Sequence, residues 1–232
     1  MQQQIFLQAS ACVTCSVTVY FLSGLGANYS AFKYLTFPAN VTPVFIDWLV
    51  PEANEPLLLY AKRITAKINT TEPFILVGLS FGGMLATEVL EFVQPQKTIL
   101  ISSAARRQEL PAYYKLAGRL RFNKLFPAAA IKKGNSMINW LMGVSAIKDK
   151  DLVQEILAAS DPVFSKWAIN EIVNWKRTVA PANIIRIHGN KDKVLPIINF
   201  KPHHLIDKGG HFMIANRADE ISALLEKIFT EK

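Results

Sequence analysis

A serine becomes a nucleophile only when a base lies within hydrogen-bond reach and an acid orients that base. Gly78-Leu79-Ser80-Phe81-Gly82 supplies a candidate serine. The pattern G-x-S-x-G, set between an apolar run and a helical one, holds a serine on a sharp strand-to-helix turn. Strand and helix backbones pass closely there, so the flanking positions must be small, hence Gly78, Gly82 and Gly83. The serine takes a strained conformation that few non-glycine residues adopt. The helix that follows turns its free N–H groups and positive end on the reacting centre. A serine that merely caps a helix would have the same neighbours, so the base and the acid decide between the two. Of the four histidines, His203 and His204 precede the last apolar run, the wrong end of a parallel strand for chemistry. His188 ends the strand before and reads as structural. His211 follows the last strand after Gly209-Gly210, in a loop able to carry an imidazole over Ser80. The acid is either Asp192, after the penultimate strand, or Asp207, four residues before His211.

The elements that must position these residues alternate. Apolar runs at 17–22, 44–46, 74–77, 98–102, 184–188 and 203–206 read as strands. Amphipathic or apolar helices are expected at 55–69, 84–92 and 217–230. Strands alternating with helices imply a parallel sheet. Residues 106–180 break the alternation, contain no convincing strand and read as several helices inserted between strands of one sheet.

With these motifs in this order, the chain resembles the α/β-hydrolases from about residue 17 to its C-terminus. That family orders its triad serine, acid, histidine, and Ser80, Asp192 and His211 follow that order. His188-Gly189-Asn190-Lys191-Asp192-Lys193-Val194-Leu195-Pro196 is similar to the family's acid loop, H-G-x-x-D-x-x-x-P, so the resemblance selects Asp192 over Asp207. Gly209-Gly210-His211 is similar to its histidine loop. The family's less common acid position is closed, because Ser102-Ser103 stands there. The resemblance also implies an oxyanion hole made by the N–H groups of Phe81 and Leu25. Ser23-Gly24 stands where the family usually has His-Gly.

What the resemblance implies overall is an α/β fold, a mostly parallel sheet of about six or more strands flanked by helices. Residues 1–105 plus 181–232 would form the core and 106–180 a helical cap. The implied activity is hydrolysis of a small carboxylic ester or thioester through an acyl-enzyme, without metal or organic cofactor. Trp140, Met142 and Trp167 of the cap are the expected substrate contacts. Acyl transfer, C–C hydrolysis and lyase chemistry run on the same triad, and a non-catalytic ligand receptor could retain the fold.

Composition narrows the partners. Half of the residues are hydrophobic and 19% are charged, enough to bury a sizeable core. Residues 106–180 hold 13 Lys and Arg against 6 Asp and Glu, so they carry +7 of the chain's net +8. Such an excess is either a solvated helix surface or an attraction for an anionic ligand. Arg106-Arg107 and Lys132-Lys133 are too short to mark nucleic-acid binding. Residues 5–22 are interrupted by Gln8, Ser10, Thr14, Ser16 and Thr18, which argues against membrane insertion. Met1-Gln2-Gln3-Gln4 lacks the basic start of a secretory signal, so a cytoplasmic protein is expected. Cys12 and Cys15 have no further ligands at metal-site spacing and precede a strand, which fits two small apolar residues near a sheet edge. Gly24 and Gly26 begin a dinucleotide-binding pattern that Tyr29 breaks, although Asp47 follows the next strand.

Overall fold

The computed structural model describes residues 16–120 and 136–231. Cys12, Cys15, Phe122, Leu125, Phe126, Lys132, Lys133 and Gly134 lie outside the described residues.

Six strands form one parallel sheet in the order β2-β1-β3-β4-β5-β6. They are β1 (Val17–Leu22), β2 (Val41–Ile46), β3 (Phe74–Leu79), β4 (Lys97–Ile101), β5 (Ile184–Gly189) and β6 (His204–Ile206). All six residues of β3 are buried, as a central parallel strand covered on both faces requires. Alternation divides the apolar side chains between two clusters. Val19, Phe21, Ile75, Val77, Ile99 and Ile101 point into one. Tyr20, Leu22, Phe74, Leu76 and Leu100 point into the other. Strand β2 begins three residues before the expected 44–46 and contains Pro43. It is one of the sheet's two edge strands, paired with β1 alone, and an edge tolerates a proline that lacks the ladder donor.

Helices cover both faces. Helix α1 (Leu57–Ile64) and α2 (Phe81–Val89) pack their apolar sides into the second cluster. Helix α7 (Met213–Asn216) and α8 (Ala218–Thr230) pack into the first. Helix α1 starts after Pro56, because the residue before a proline is held extended. Helix α2 starts at Phe81 rather than near 84, since the turn at Ser80 leads straight into it.

Between β4 and β5 lie a 3-10 turn (Arg107–Glu109), four described α-helices and no described strand: α3 (Ala112–Arg119), α4 (Ser136–Met142), α5 (Ile147–Ala159) and α6 (Pro162–Val173). They do not form one uniform layer. Leu152, Val153, Ile156 and Leu157 of α5 join the first cluster, whereas Phe164 and Ala168 of α6 join the second. The two ends of the segment are stapled to the core by charge. Glu109 accepts two bonds from Arg186 of β5, at 2.8 and 3.0 Å, and one from the Ala105 N–H. Glu88 of α2 accepts from the Trp175 indole N–H at 2.7 Å and from Arg177 at 3.3 Å. Arg107 donates to the Trp175 carbonyl at 2.6 Å. Part of the segment's basic excess is therefore spent on fixed internal partners. Among the described residues no helix is long and apolar enough to cross a membrane.

Candidate active site

The chain passes from β1 to β2 on one side and then back to β3 on the other, so the sheet's switch point lies between β1 and β3. Loops leaving the carboxyl ends of those strands diverge there and leave a crevice. Ser80 occupies it, at the end of β3. Its backbone has φ 52° and ψ −118°, a conformation that L-residues rarely adopt. The turn is enforced on every side. A Cβ at Gly78 would come within 2.5 Å of the Gly82 carbonyl oxygen, and one at Gly82 would collide with the backbone of Leu22 and Ser23. The Ser80 N–H donates to Ile101 at 2.9 Å, and the Ser80 carbonyl accepts from the Ser103 hydroxyl at 2.6 Å. Ser103, noted in the sequence only as a missing carboxylate, thus braces the turn from the loop after β4.

Three of the expected residues meet. Ser80 Oγ lies 2.9 Å from His211 Nε2, and His211 Nδ1 lies 2.8 Å from Asp192 Oδ2. A carboxylate can only accept, so Nδ1 carries the hydrogen and Nε2 presents its lone pair to the Ser80 hydroxyl. The other carboxylate oxygen, Oδ1, accepts from the N–H groups of Val194 and Leu195 at 2.9 and 2.8 Å. Asp192 and His211 are buried, while Ser80 is partly exposed. Burial works against the charge of Asp192, but His211 and His188 beside it prevail and hold its carboxyl well below the usual carboxylate range. Asp207 stands elsewhere: it is exposed and accepts from the Asn190 amide at 2.9 Å.

The loops carrying acid and base can meet because both are glycine there. A Cβ at Gly189 would collide with the Gly209 backbone. His203 takes no part; its Nδ1 accepts from the Arg186 N–H at 3.1 Å and ties β6 to β5. His188 stands at the end of β5. It is 1% exposed, and its Nε2 lies 2.7 Å from the Leu195 carbonyl and 3.3 Å from Asp192 Oδ2.

Opposite Ser80, the β1 loop is closed by its own bonds. The Ser23 hydroxyl donates to Ala27 O at 2.6 Å, and the Ala27 N–H donates to Gly24 O at 3.0 Å. A Cβ built on Gly24 would lie 3.6 Å from Ser80 Cβ, so the loop passes beside the serine at Gly24. Phe81 is the first residue of α2, and its N–H has no partner within that helix.

The sequence profile of the Alpha/beta hydrolase family matches residues 19–224. The chain belongs to this family. Solved structures of similar fold include an esterase from Exiguobacterium antarcticum, at 15% identity with a TM-score of 0.68, covering 93% of this chain and 92% of that one. A thermophilic esterase from Thermogutta terrifontis matches at 13% identity with a TM-score of 0.64, covering 92% and 89%. A meta-cleavage product hydrolase from Pseudomonas fluorescens IP01 matches at 17% identity with a TM-score of 0.65, covering 92% and 90%. No curated protein matches the sequence significantly.

In this α/β-hydrolase the three expected substrate contacts are placed differently from one another. Trp140 of α4 is 61% exposed, with the Lys193 ammonium 3.7 Å from its ring centre. Met142 is partly buried, and its carbonyl accepts from the Phe212 N–H at 3.0 Å, next to His211. Trp167 of α6 sits in an aromatic cluster with Tyr60, Phe81 and Phe164, and its indole N–H donates to Glu55 O at 2.7 Å. The ring of Trp167 therefore supports the residue after Ser80.

Proposed function

We propose that this α/β-hydrolase cleaves small carboxylic esters or thioesters through an acyl-enzyme, with Ser80 as nucleophile, His211 as base and Asp192 as its orienting acid. The observation that carries the reading is the unbroken chain of contacts from Ser80 Oγ to His211 Nε2 at 2.9 Å and from His211 Nδ1 to Asp192 Oδ2 at 2.8 Å. It ends on a serine strained at a helix N-terminus.

Ser80 Oγ adds to the carbonyl carbon as its proton passes to His211 Nε2. Asp192 stabilises the imidazolium so formed. The oxyanion is held by the N–H groups of Phe81 and Leu25, and the positive end of α2 faces the same charge. His211 then gives its proton to the departing alcohol or thiol oxygen or sulfur, leaving Ser80 acylated. Water, deprotonated by the same nitrogen, attacks the acyl carbon, and Ser80 recovers its proton as the carboxylic acid departs. In this reading residues 106–180 form a cap, with Trp140 and Met142 at the acyl pocket. Two links support that placement: the Met142 carbonyl to Phe212 and Lys193 to Trp140.

The test is covalent labelling by a fluorophosphonate, with Ser80→Ala as control, followed by product analysis on acyl esters and acyl-thioesters. Labelling of the parent protein alone, with release of free acid, is expected. An unlabelled parent protein would leave a ligand receptor in place of an enzyme.

A further inference from the structure

Asp192 is served by two histidines. Its Oδ1 is filled by the N–H groups of Val194 and Leu195, and its Oδ2 faces His211 Nδ1 at 2.8 Å and His188 Nε2 at 3.3 Å. His188 Nε2 also lies 2.7 Å from the Leu195 carbonyl. A carbonyl only accepts, so Nε2 carries a hydrogen. That hydrogen is aimed at Leu195 O first and presents its positive end to Asp192 Oδ2 second, as in a three-centre bond. The ring cannot drift away, because it is 1% exposed and stands edge-on to Phe200 at 5.2 Å.

From this geometry we propose that His188 is a positioning residue for the triad acid. It acts in two ways. Bonding Leu195 O from the end of β5 closes the loop over 189–195 and fixes the two N–H groups that hold Oδ1. Sharing Oδ2 with His211 spreads the charge of the carboxylate and limits how tightly it grips the His211 N–H. The inference rests on the triad reading above, since its effect on rate passes through Asp192 and His211.

Among the described residues, the groups around Asp192 that bear on its charge come from three elements and its own loop. His211 comes from the loop after β6, His188 from β5, and Tyr113 and Tyr114 from α3. Lys191 and Lys193 flank it in sequence. Of the two histidines, only His211 reaches the nucleophile. Removing the His188 donor leaves Oδ2 more basic and its bond to imidazolium stronger. The acidic limb of the rate profile, where His211 gains its proton, should therefore move to higher pH.

The experiment compares His188→Phe, which keeps a ring and loses the donor, with His188→Gln, which restores an N–H at similar reach. His188→Met serves as a second donor-free variant should the phenylalanine fail to fold. Three readouts are taken: kcat/KM for a p-nitrophenyl ester against pH, the rate of fluorophosphonate labelling, and the downfield proton resonance of His211 Nδ1–H. The donor-free variants should lose about tenfold in kcat/KM, the size of one charge-assisted hydrogen bond. Their acidic limb and their Nδ1–H resonance should both shift, and His188→Gln should return all three towards the parent values. Equal losses in the glutamine and donor-free variants, with limb and resonance unmoved, would reduce His188 to packing. The resonance needs no turnover. A parent protein that neither labels nor hydrolyses, yet shows the resonance shift in the donor-free variants, would overturn the hydrolase reading and leave this inference standing.

Discussion

Helix α2 buries all nine of its residues and α4 buries none of its seven, yet both reach the loop that carries His211. At the N-terminus of α2 the contact is made by the preceding residue, Ser80, through its bond to Nε2. From α4 it is made by the Met142 carbonyl, which holds the Phe212 N–H. The first connection is over-determined: glycines at 78 and 82, Ser103 and the Ile101 carbonyl all fix the turn. The second rests on a backbone bond and a close approach of Gly143 to Gly210, from a helix with large apolar side chains, Met137 and Trp140, facing solvent. A reacting atom misplaced by one ångström costs a large part of the rate, whereas a surface that selects among acyl chains need only offer apolar area. The difference in burial fits that division of labour between core and inserted helices.

The hardest blow to the core half of the comparison is Ser80→Ala. The hydroxyl adds nothing to core packing, so melting temperature should hold while kcat falls on the order of 10⁴-fold or more. Retained turnover would end the assignment. Asp192→Asn should follow closely, at about 10⁴-fold, because it disturbs the tautomer of His211, and Asp207→Asn should be mild. A reversed ranking would move the acid to Asp207. The aspartate also gives a pH signature. Its carboxyl titrates lower folded than unfolded, so the stability it contributes is present above the unfolded value of about 3.9 and is lost as pH falls through and below it. The stability gap between parent and Asp192→Asn should thus narrow on acidification below about pH 4. A gap that widened there would contradict the depressed carboxyl.

The staple at the C-terminal end of the inserted segment tests the comparison from the other side. Glu88→Ala would leave the buried Trp175 N–H without its acceptor and Arg177 without one of its two carboxylates. A loss of about 2–3 kcal/mol in urea unfolding is expected, with Glu88→Gln milder since its amide oxygen still accepts. Activity per folded molecule should change little. A collapse of kcat without loss of stability would mean that the segment's anchorage sets the chemistry as well as the fold.

How much of this was legible in the sequence depended on how local the cause was. Ser80 was readable because G-x-S-x-G states its own steric reason: Gly78 and Gly82 are forced by backbone contacts made within the same turn. His211 and Asp192 were readable as loop residues at the correct strand ends, with the final choice of acid resting on family pattern. The strands came through for the same reason, except that β2 runs three residues further towards its N-terminus than its apolar run 44–46, through Pro43, which its edge position tolerates. What escaped were contacts between distant segments. Nothing near Ser103 announces that its hydroxyl will bond Ser80 O, and nothing near Glu109 announces Arg186, 77 residues away. His188 was visible as a residue and missed as a partner, because an i, i+4 contact in a loop depends on the loop's curvature. The bond from the Trp167 N–H to Glu55 O, 112 residues away, was equally out of sight.

The smallest expected effect falls on Trp140. Its ring is 61% exposed and its fixed neighbour is Lys193, whose ammonium lies 3.7 Å from the ring centre and donates to the Trp140 carbonyl at 3.2 Å. An exposed cation–π pair is worth about 0.5–1 kcal/mol, so Trp140→Ala should barely lower stability. If the indole belongs to the acyl pocket, its loss removes apolar surface that only a long chain can reach. Each methylene buried there contributes about 0.8 kcal/mol, so losing contact with one or two should lower kcat/KM for an octanoyl ester about fourfold to fifteenfold. The acetyl ester, too short to touch it, should react as before. The octanoyl-to-acetyl ratio is therefore the quantity to measure, since any general disturbance of the His211 loop through α4 would lower both rates and cancel. An unchanged ratio would remove Trp140 from the pocket and leave α4 with the one task its backbone already performs, holding Phe212 beside the base.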